Sequence, residues 1–182
     1  MIKKAKYTIY TIWLTCIVTL LISYVINPNL FTPQNIKLLV ETYSNELMIT
    51  YISASLIRGL FLIPSTPFVI VGALLFPDDL LSVLLISIIS VMFSATLLYY
   101  FSDLLGFSQY LERKHPVSVK KWRSRLNSRK SILVTTGWAF FPLVPTDLIC
   151  YVSGIVAMPF THMFIGIFLG EVSIISIYLF LI

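Results

Sequence analysis

The sequence predicts an all-α integral membrane protein: an inverted repeat of two re-entrant helical hairpins, each followed by a transmembrane helix, plus an N-terminal transmembrane helix. Three observations predict it. The 182 residues are 58% hydrophobic and 12% charged, with mean hydropathy +0.91; an average soluble domain is about 25% charged. Uncharged runs of spanning length alternate with apolar runs broken by proline. The basic residues are gathered between 107 and 131 rather than spread along the chain. So little charge cannot cover a water-facing surface, which excludes an ordinary soluble enzyme, a disordered chain and a disulfide-stapled module. The net charge of +5 then marks the cytoplasmic side of a membrane.

The N-terminal part, 1–46, opens on Lys3, Lys4 and Lys6, followed by an uncharged run from Tyr7 to Ile26. That run is longer than the ~7–15-residue core of a signal peptide and has no small-residue cleavage site. It is expected as a retained span running from the cytoplasm outward, stopped by Asn27-Pro28-Asn29. Thr32-Pro33 has the form of a cap followed by proline at the first helical position. Ile36, Leu39, Val40 and Tyr43 then make one helical stripe, expected as a short segment resting at the outer interface.

The remainder, 47–182, forms the main membrane domain. Residues 47–76 are apolar apart from Arg58, and are broken at Pro64 and Pro67. Neither half reaches the ~20 residues of a spanning helix. A transmembrane helix is expected over 80–104. The basic loop 107–131 carries Arg113, Lys114, Lys120, Lys121, Arg123, Arg125, Arg129 and Lys130 against the single acid Glu112. A second broken apolar segment covers 132–158, interrupted at Pro142 and Pro145, and 160–182 closes the chain as a final span. The positive-inside rule puts both the N-terminus and the basic loop in the cytoplasm. An even number of crossings must separate them, so 47–76 is expected to enter and leave on the outer side. The C-terminus is then outside.

The two broken segments repeat a pattern. The first reads Pro64-x7-Gly72-x4-Pro77 and the second Pro145-x8-Gly154-x4-Pro159, each leading into a span. Opposed directions make the repeat an inverted one, as in many transporters. Ser65 and Thr66 precede Pro67, and Thr146 and Asp147 precede Leu148; each pair has the form of a half-helix cap. Free N–H groups at two such starts, near mid-membrane, suit an anion such as a lipid phosphate.

Leu62 to Phe76 resembles the first motif of the DedA/VTT-domain superfamily, also called the SNARE-associated Golgi protein family. Phe141 to Gly154 resembles its second motif, and Phe160 to Tyr178, with Gly170, its closing helix. The resemblance runs from about Leu56 to the C-terminus and is nearest to the small bacterial Golgi-vesicle-protein-like branch. It implies two facing re-entrant hairpins and, from the better-understood relatives, lipid scrambling or carrier-lipid phosphate translocation. The chain departs from the family pattern at Phe68, Ala139 and Cys150, which weakens the carrier-lipid reading more than the fold.

The candidate site residues are Asp147, Glu171, Arg58, Ser65, Thr66 and Thr146, shaped by Pro64, Pro67, Gly72, Pro142, Pro145 and Gly154. An acid within the membrane is a functional hypothesis by default. For Asp147 the alternatives are function and capping of its own helix. For Glu171 a proton relay stands against a neutral hydrogen bond to a neighbouring helix. Arg58 could pair with either acid or meet a lipid phosphate, but snorkelling to outer headgroups is favoured. Pro116 to Leu126 reads as an interfacial helix on an anionic leaflet, with Val119, Trp122 and Leu126 on one face.

No metal or cofactor is expected. Cys16, Cys150, His115 and His162 make no ligand pattern. Nor is an enzyme expected, since no nucleophile–histidine pair, paired carboxylates or phosphate loop occurs. The expected partners are membrane lipids, with anionic headgroups at the basic loop. Nucleic acid is not expected, and a homodimer would help to bury so small a bundle. The sequence points to a bacterial cell-membrane protein that moves a phosphate-bearing lipid. An ion-coupled solute transporter and a non-transporting assembly factor remain as alternatives.

Overall fold

A computed structural model describes residues 2–43, 46–104, 112–114, 116–141 and 145–181; Pro142 and His115 lie outside the described residues. The described residues are helical, with no strand among them. The helices are α1 (Ile2–Ile26), α2 (Pro33–Tyr43), α3 (Leu47–Arg58), α4 (Ser65–Leu75), α5 (Leu80–Leu104), α6 (Pro116–Leu126), α7 (Lys130–Phe140), α8 (Thr146–Ile155) and α9 (Phe160–Phe180). Proline sets several of the boundaries. Pro64, Pro145 and Pro159 stand immediately before α4, α8 and α9 in extended backbone, with φ of −53°, −58° and −56°. Each supplies a fixed φ and no N–H where a helix must begin.

Two stretches are long and apolar enough to cross a membrane, Leu80–Ser102 and Phe160–Phe180. α1 is a continuous helix of 25 residues, with an apolar stretch at Thr11–Ile26. The side chains of Lys3, Lys4 and Lys6 lie outside the described residues. Thr32 precedes α2 as expected, yet its hydroxyl donates back to the Asn29 carbonyl at 2.8 Å rather than capping the helix.

α3 gives way to a 3₁₀ turn, Gly59–Phe61, and then to Leu62 in the left-handed conformation (φ 58°). The Leu62 and Ile63 N–H groups donate to the Gly59 and Arg58 carbonyls, the doubled closure of a Schellman turn. The same closure ends α8. There Ala157 has φ 51°, and the Ala157 and Met158 N–H groups reach the Gly154 and Ser153 carbonyls. A left-handed residue without glycine costs about 1–2 kcal/mol, so packing must hold both turns.

α4 folds back along α3: the rings of Tyr51, near the start of α3, and Phe76, just past α4, lie 5.7 Å apart. α5 then runs beside α3 in the same direction, with Tyr51 against Ser87 and Gly59 against Ser94. The C-terminal part is arranged in the same way. α7 and α9 lie side by side in one direction, with Ser131 against His162, Thr135 against Gly166 and Ala139 against Gly170. A Cβ on Gly166 would meet Thr135 Oγ1 at 1.8 Å, and one on Gly170 would meet Ala139 Cβ at 2.5 Å. Small residues allow this close approach, as in helix pairs within lipid.

The two parts interlock. α8 packs along α5, where Gly154 faces Ser102 and the Tyr99 hydroxyl donates to the Met158 carbonyl. α4 packs on α9 through Val69, Ile175 and Leu179. α5 and α9 run in opposite directions, since Tyr99 and Tyr100 near the end of α5 stack on Phe160 at the start of α9. α1 joins through Trp13, whose indole N–H donates to the Leu60 carbonyl at 2.7 Å and whose ring packs on Phe101 and Tyr151.

Candidate functional site

The breaks between α3 and α4 and between α7 and α8 come together. A crevice between them is lined by Pro64, Ser65 and Thr66 from the first, Phe141, Pro145 and Thr146 from the second, and Ala139, Glu171 and Ile174 from the flanking helices. Its free volume is about 10 Å³, roughly the room one water needs. Four of the six sequence candidates, Ser65, Thr66, Thr146 and Glu171, thus line one space, together with Pro64 and Pro145.

Arg58 and Asp147 form an ion pair beside this crevice. The Arg58 Nη1 donates to Asp147 Oδ2 at 3.2 Å and to the Ile63 carbonyl at 2.8 Å. Both side chains are almost wholly buried, at 3% and 4% exposure. This corrects two expectations. Arg58 does not snorkel outward. It closes α3 at the break, where the chain folds back inside the bundle, so its guanidinium faces the start of α8 rather than headgroups. Asp147 does not cap its helix: Pro145 occupies the N-cap position, Thr146 and Asp147 are the first two helical residues, and no side-chain cap bond forms. Ser65 likewise makes no cap bond at α4. The first N–H groups of both half-helices therefore have no side-chain acceptor of that kind.

Glu171 sits on α9 at 1% exposure, packed against the start of α8. Its Oε1 accepts from the Thr146 hydroxyl at 2.5 Å, and its Oε2 has no hydrogen-bond partner. The hairpin-shaping residues occupy structural positions. Pro67 falls in the first turn of α4, where its missing N–H would have had no partner in the helix. A Cβ on Gly72 would meet the Tyr51 hydroxyl at 2.4 Å, and one on Gly154 would meet Ser102 Oγ at 1.9 Å. A second space, lined by Ser55, Arg58, Ser65, Phe68, Ser87 and Ser90 among others, lies on the far side of Ser65. The buried serines Ser87, Ser90 and Ser94 recur at helical spacing along α5 and face this region.

Sequence reasoning missed Ala139, Phe141 and Ile174 as lining residues, and Trp13 as the brace of the first break. Ala139 and Ile174 carry no chemical mark. Trp13 is one aromatic among many in an apolar run. Among the described residues no cluster of His, Cys, Asp and Glu could hold a metal ion.

Two helices able to span a bilayer, interlocked with two pairs of shorter broken helices, define an all-helical membrane protein. The family model of the VTT domain matches residues 63–182, and the chain belongs to that family, the DedA/SNARE-associated Golgi protein family. The match begins just before Pro64, so α3 and Arg58 precede it. No curated protein and no solved structure matches the chain.

Proposed function

We propose that the protein moves a phosphate-bearing lipid across the bilayer through the crevice between its two helix breaks. The observation that carries this reading is the convergence of the starts of α4 and α8 on one space. Each start presents N–H groups and the positive end of a helix dipole, which favour a phosphate where lipid tails cannot. Irregular backbone at membrane depth is tolerated only against protein or a wet cavity, and the crevice provides such a setting. Family membership supports transport in general.

In this reading α3–α4 enters from the outer side, α7–α8 from the cytoplasmic side, and the two halves are an inverted repeat. The shared parallel packing of α3 with α5 and of α7 with α9, and the opposed directions of α5 and α9, support the repeat. The N-terminus and α6 lie in the cytoplasm of a bacterial cell, the C-terminus outside, and the cations of α6 meet anionic headgroups. The crevice is narrow, with a free volume of about 10 Å³, so passage of a headgroup requires the two breaks to part. Because the Arg58–Asp147 pair joins them, it holds the closed state.

A coupled solute transporter is the second reading, and Glu171 favours it, as a buried carboxyl with an unoccupied oxygen. Asp147 serves it poorly, being committed to Arg58. Reconstituted vesicles carrying acyl-labelled fluorescent phospholipid separate the two. Lipid movement above that of empty vesicles, without any ion gradient, supports the first reading. Gradient-dependent solute uptake without lipid movement supports the second.

A further inference from the structure

Two buried hydroxyls near Arg58 have no partner. A serine or threonine inside a helix can return its hydroxyl to a carbonyl one turn earlier, as Thr96, Thr135 and Thr136 do here. Ser55 on α3 and Ser94 on α5 do not: both Oγ atoms are buried without a hydrogen-bond partner. Ser94 Oγ lies against Gly59, the neighbour of Arg58. Ser55 opens, with Ser65, Ser87 and Ser90, onto the space that Arg58 borders. An unpaired buried hydroxyl is costly, and its presence calls for a ligand or a second state.

Three features say what that space receives. Four hydroxyls and no carboxylate line it, so it offers acceptors without an opposing charge. Its one cation is Arg58, whose hydrogen bonds among the described residues both run through Nη1, leaving the other donors of the fork for further acceptors. Every lining residue belongs to α3, α4 or α5, whereas Asp147 belongs to α8. When the two breaks part, Asp147 leaves with α8 and the hydroxyls stay with Arg58.

We propose that the serine-lined space is a second docking position for the Arg58 guanidinium, taken up when Asp147 is drawn away. Its use in transport rests on the parting of the breaks proposed above; the site itself does not. The guanidinium reaches the hydroxyls by turning about its own flexible stem, directly or across one water. Neutral hydroxyls hold a cation less strongly than a carboxylate does, so Asp147 wins while the breaks are joined. Once they part, the serines lower the cost of a lone buried Arg58.

The test is a mutant cycle read by denaturant unfolding in mild detergent. Ser55→Ala with Ser90→Ala is made in the wild type and in Asp147→Ala, where Arg58 has lost its carboxylate. In the wild type the serine pair should leave the folded-to-unfolded ratio within about twofold or raise it, because Ser55 has no bond to lose. In Asp147→Ala the same pair should lower the ratio by on the order of tenfold or more, the worth of a hydrogen bond to a charged group. Ser173→Ala, whose exposed hydroxyl donates to Leu169 in its own helix, should act alike in both backgrounds. If Asp147→Ala does not fold, Asp147→Asn replaces it with the same reading. Equal effects of the serine pair in both backgrounds overturn the site. So does an equal background dependence of Ser173→Ala, which would mean general loosening.

In vesicles that show lipid movement, the serine pair should slow it about tenfold, because the parted state loses its acceptors. An unchanged rate beside the expected cycle overturns use of the site during transport. Where no lipid moves, the lipid reading fails and the cycle alone decides the site.

Discussion

Truncating Arg58 or Asp147 leaves the other as a lone charge inside the bundle. The pair meets at 3.2 Å with both side chains almost fully enclosed. Coulomb attraction and desolvation nearly cancel in such a pair, but removal of one partner leaves the desolvation cost alone, about 3–5 kcal/mol. At about 1.4 kcal/mol per tenfold, Arg58→Ala or Asp147→Ala should lower the folded-to-unfolded ratio by roughly two to more than three powers of ten. The double variant Arg58→Met with Asp147→Leu removes both charges and refills the space, and should be near wild type or more stable. The assay is denaturant unfolding in mild detergent, followed by tryptophan fluorescence, for the wild type, both singles and the double. The expected signature is strong non-additivity, with the double far more stable than either single. Additive losses of under about 1 kcal/mol each would mean that the pair is solvated in the membrane protein and would refute its role as the buried joint between the breaks.

Three further predictions concern packing and the membrane surface. Gly166→Ala places a Cβ 1.8 Å from Thr135 Oγ1 and 2.9 Å from the Ile132 carbonyl, and should cost about 1–3 kcal/mol; Gly137→Ala, which meets nothing within 4 Å, should cost nothing, as read by thermal melting of the two proteins side by side. Trp13→Phe keeps the ring packing on Phe101 and Tyr151 but loses the N–H bond to Leu60, and should cost about 1 kcal/mol, with Trp13→Ala costing more; equal melting temperatures for wild type and Trp13→Ala would show that α1 does not brace the first break. Lys120→Gln with Lys121→Gln removes two exposed charges from α6 and should lose about 1 kcal/mol of attraction to anionic lipid per charge, seen as fewer anionic lipids retained on the purified protein in native mass spectra.

Much of the helical layout was legible because composition and proline carry it. The uncharged run from Leu80 to Phe101 reads as one helix, which extends over Leu80–Leu104, and Pro116 and Leu126 bound the basic surface helix as expected. Pro64 and Pro145 mark two equivalent positions, each the residue before a short helix. The site was legible only as a set of residue types. Arg58 and Asp147 are separated by 89 positions, and no periodicity says that the first break faces the second. Judged by its own segment, Arg58 has an outward route for a long flexible side chain; only the interlocking of α8 with α5 removes it. Capping failed as a guide for a similar reason. Ser65, Thr146 and Asp147 lie one or two residues inside their helices, because the prolines ahead of them already occupy the cap position. Trp13 was illegible altogether, since its partner carbonyl belongs to a 3₁₀ turn that exists only once the chain has folded back.

The most direct test of the account is to pin the two breaks together and measure lipid movement. Thr66→Cys and Phe141→Cys place one thiol on each side of the crevice, on lining residues outside the ion pair. The doubly substituted protein, made with Cys16→Ser and Cys150→Ala so that no native thiol reacts and bridged by a short bis-maleimide before reconstitution, is compared with the unbridged protein, each single substitution treated alike, and empty vesicles. The account predicts lipid movement in the unbridged protein and both singles, and movement no faster than in empty vesicles once the bridge is made. Undiminished movement across the bridged crevice, or none before bridging, would contradict it.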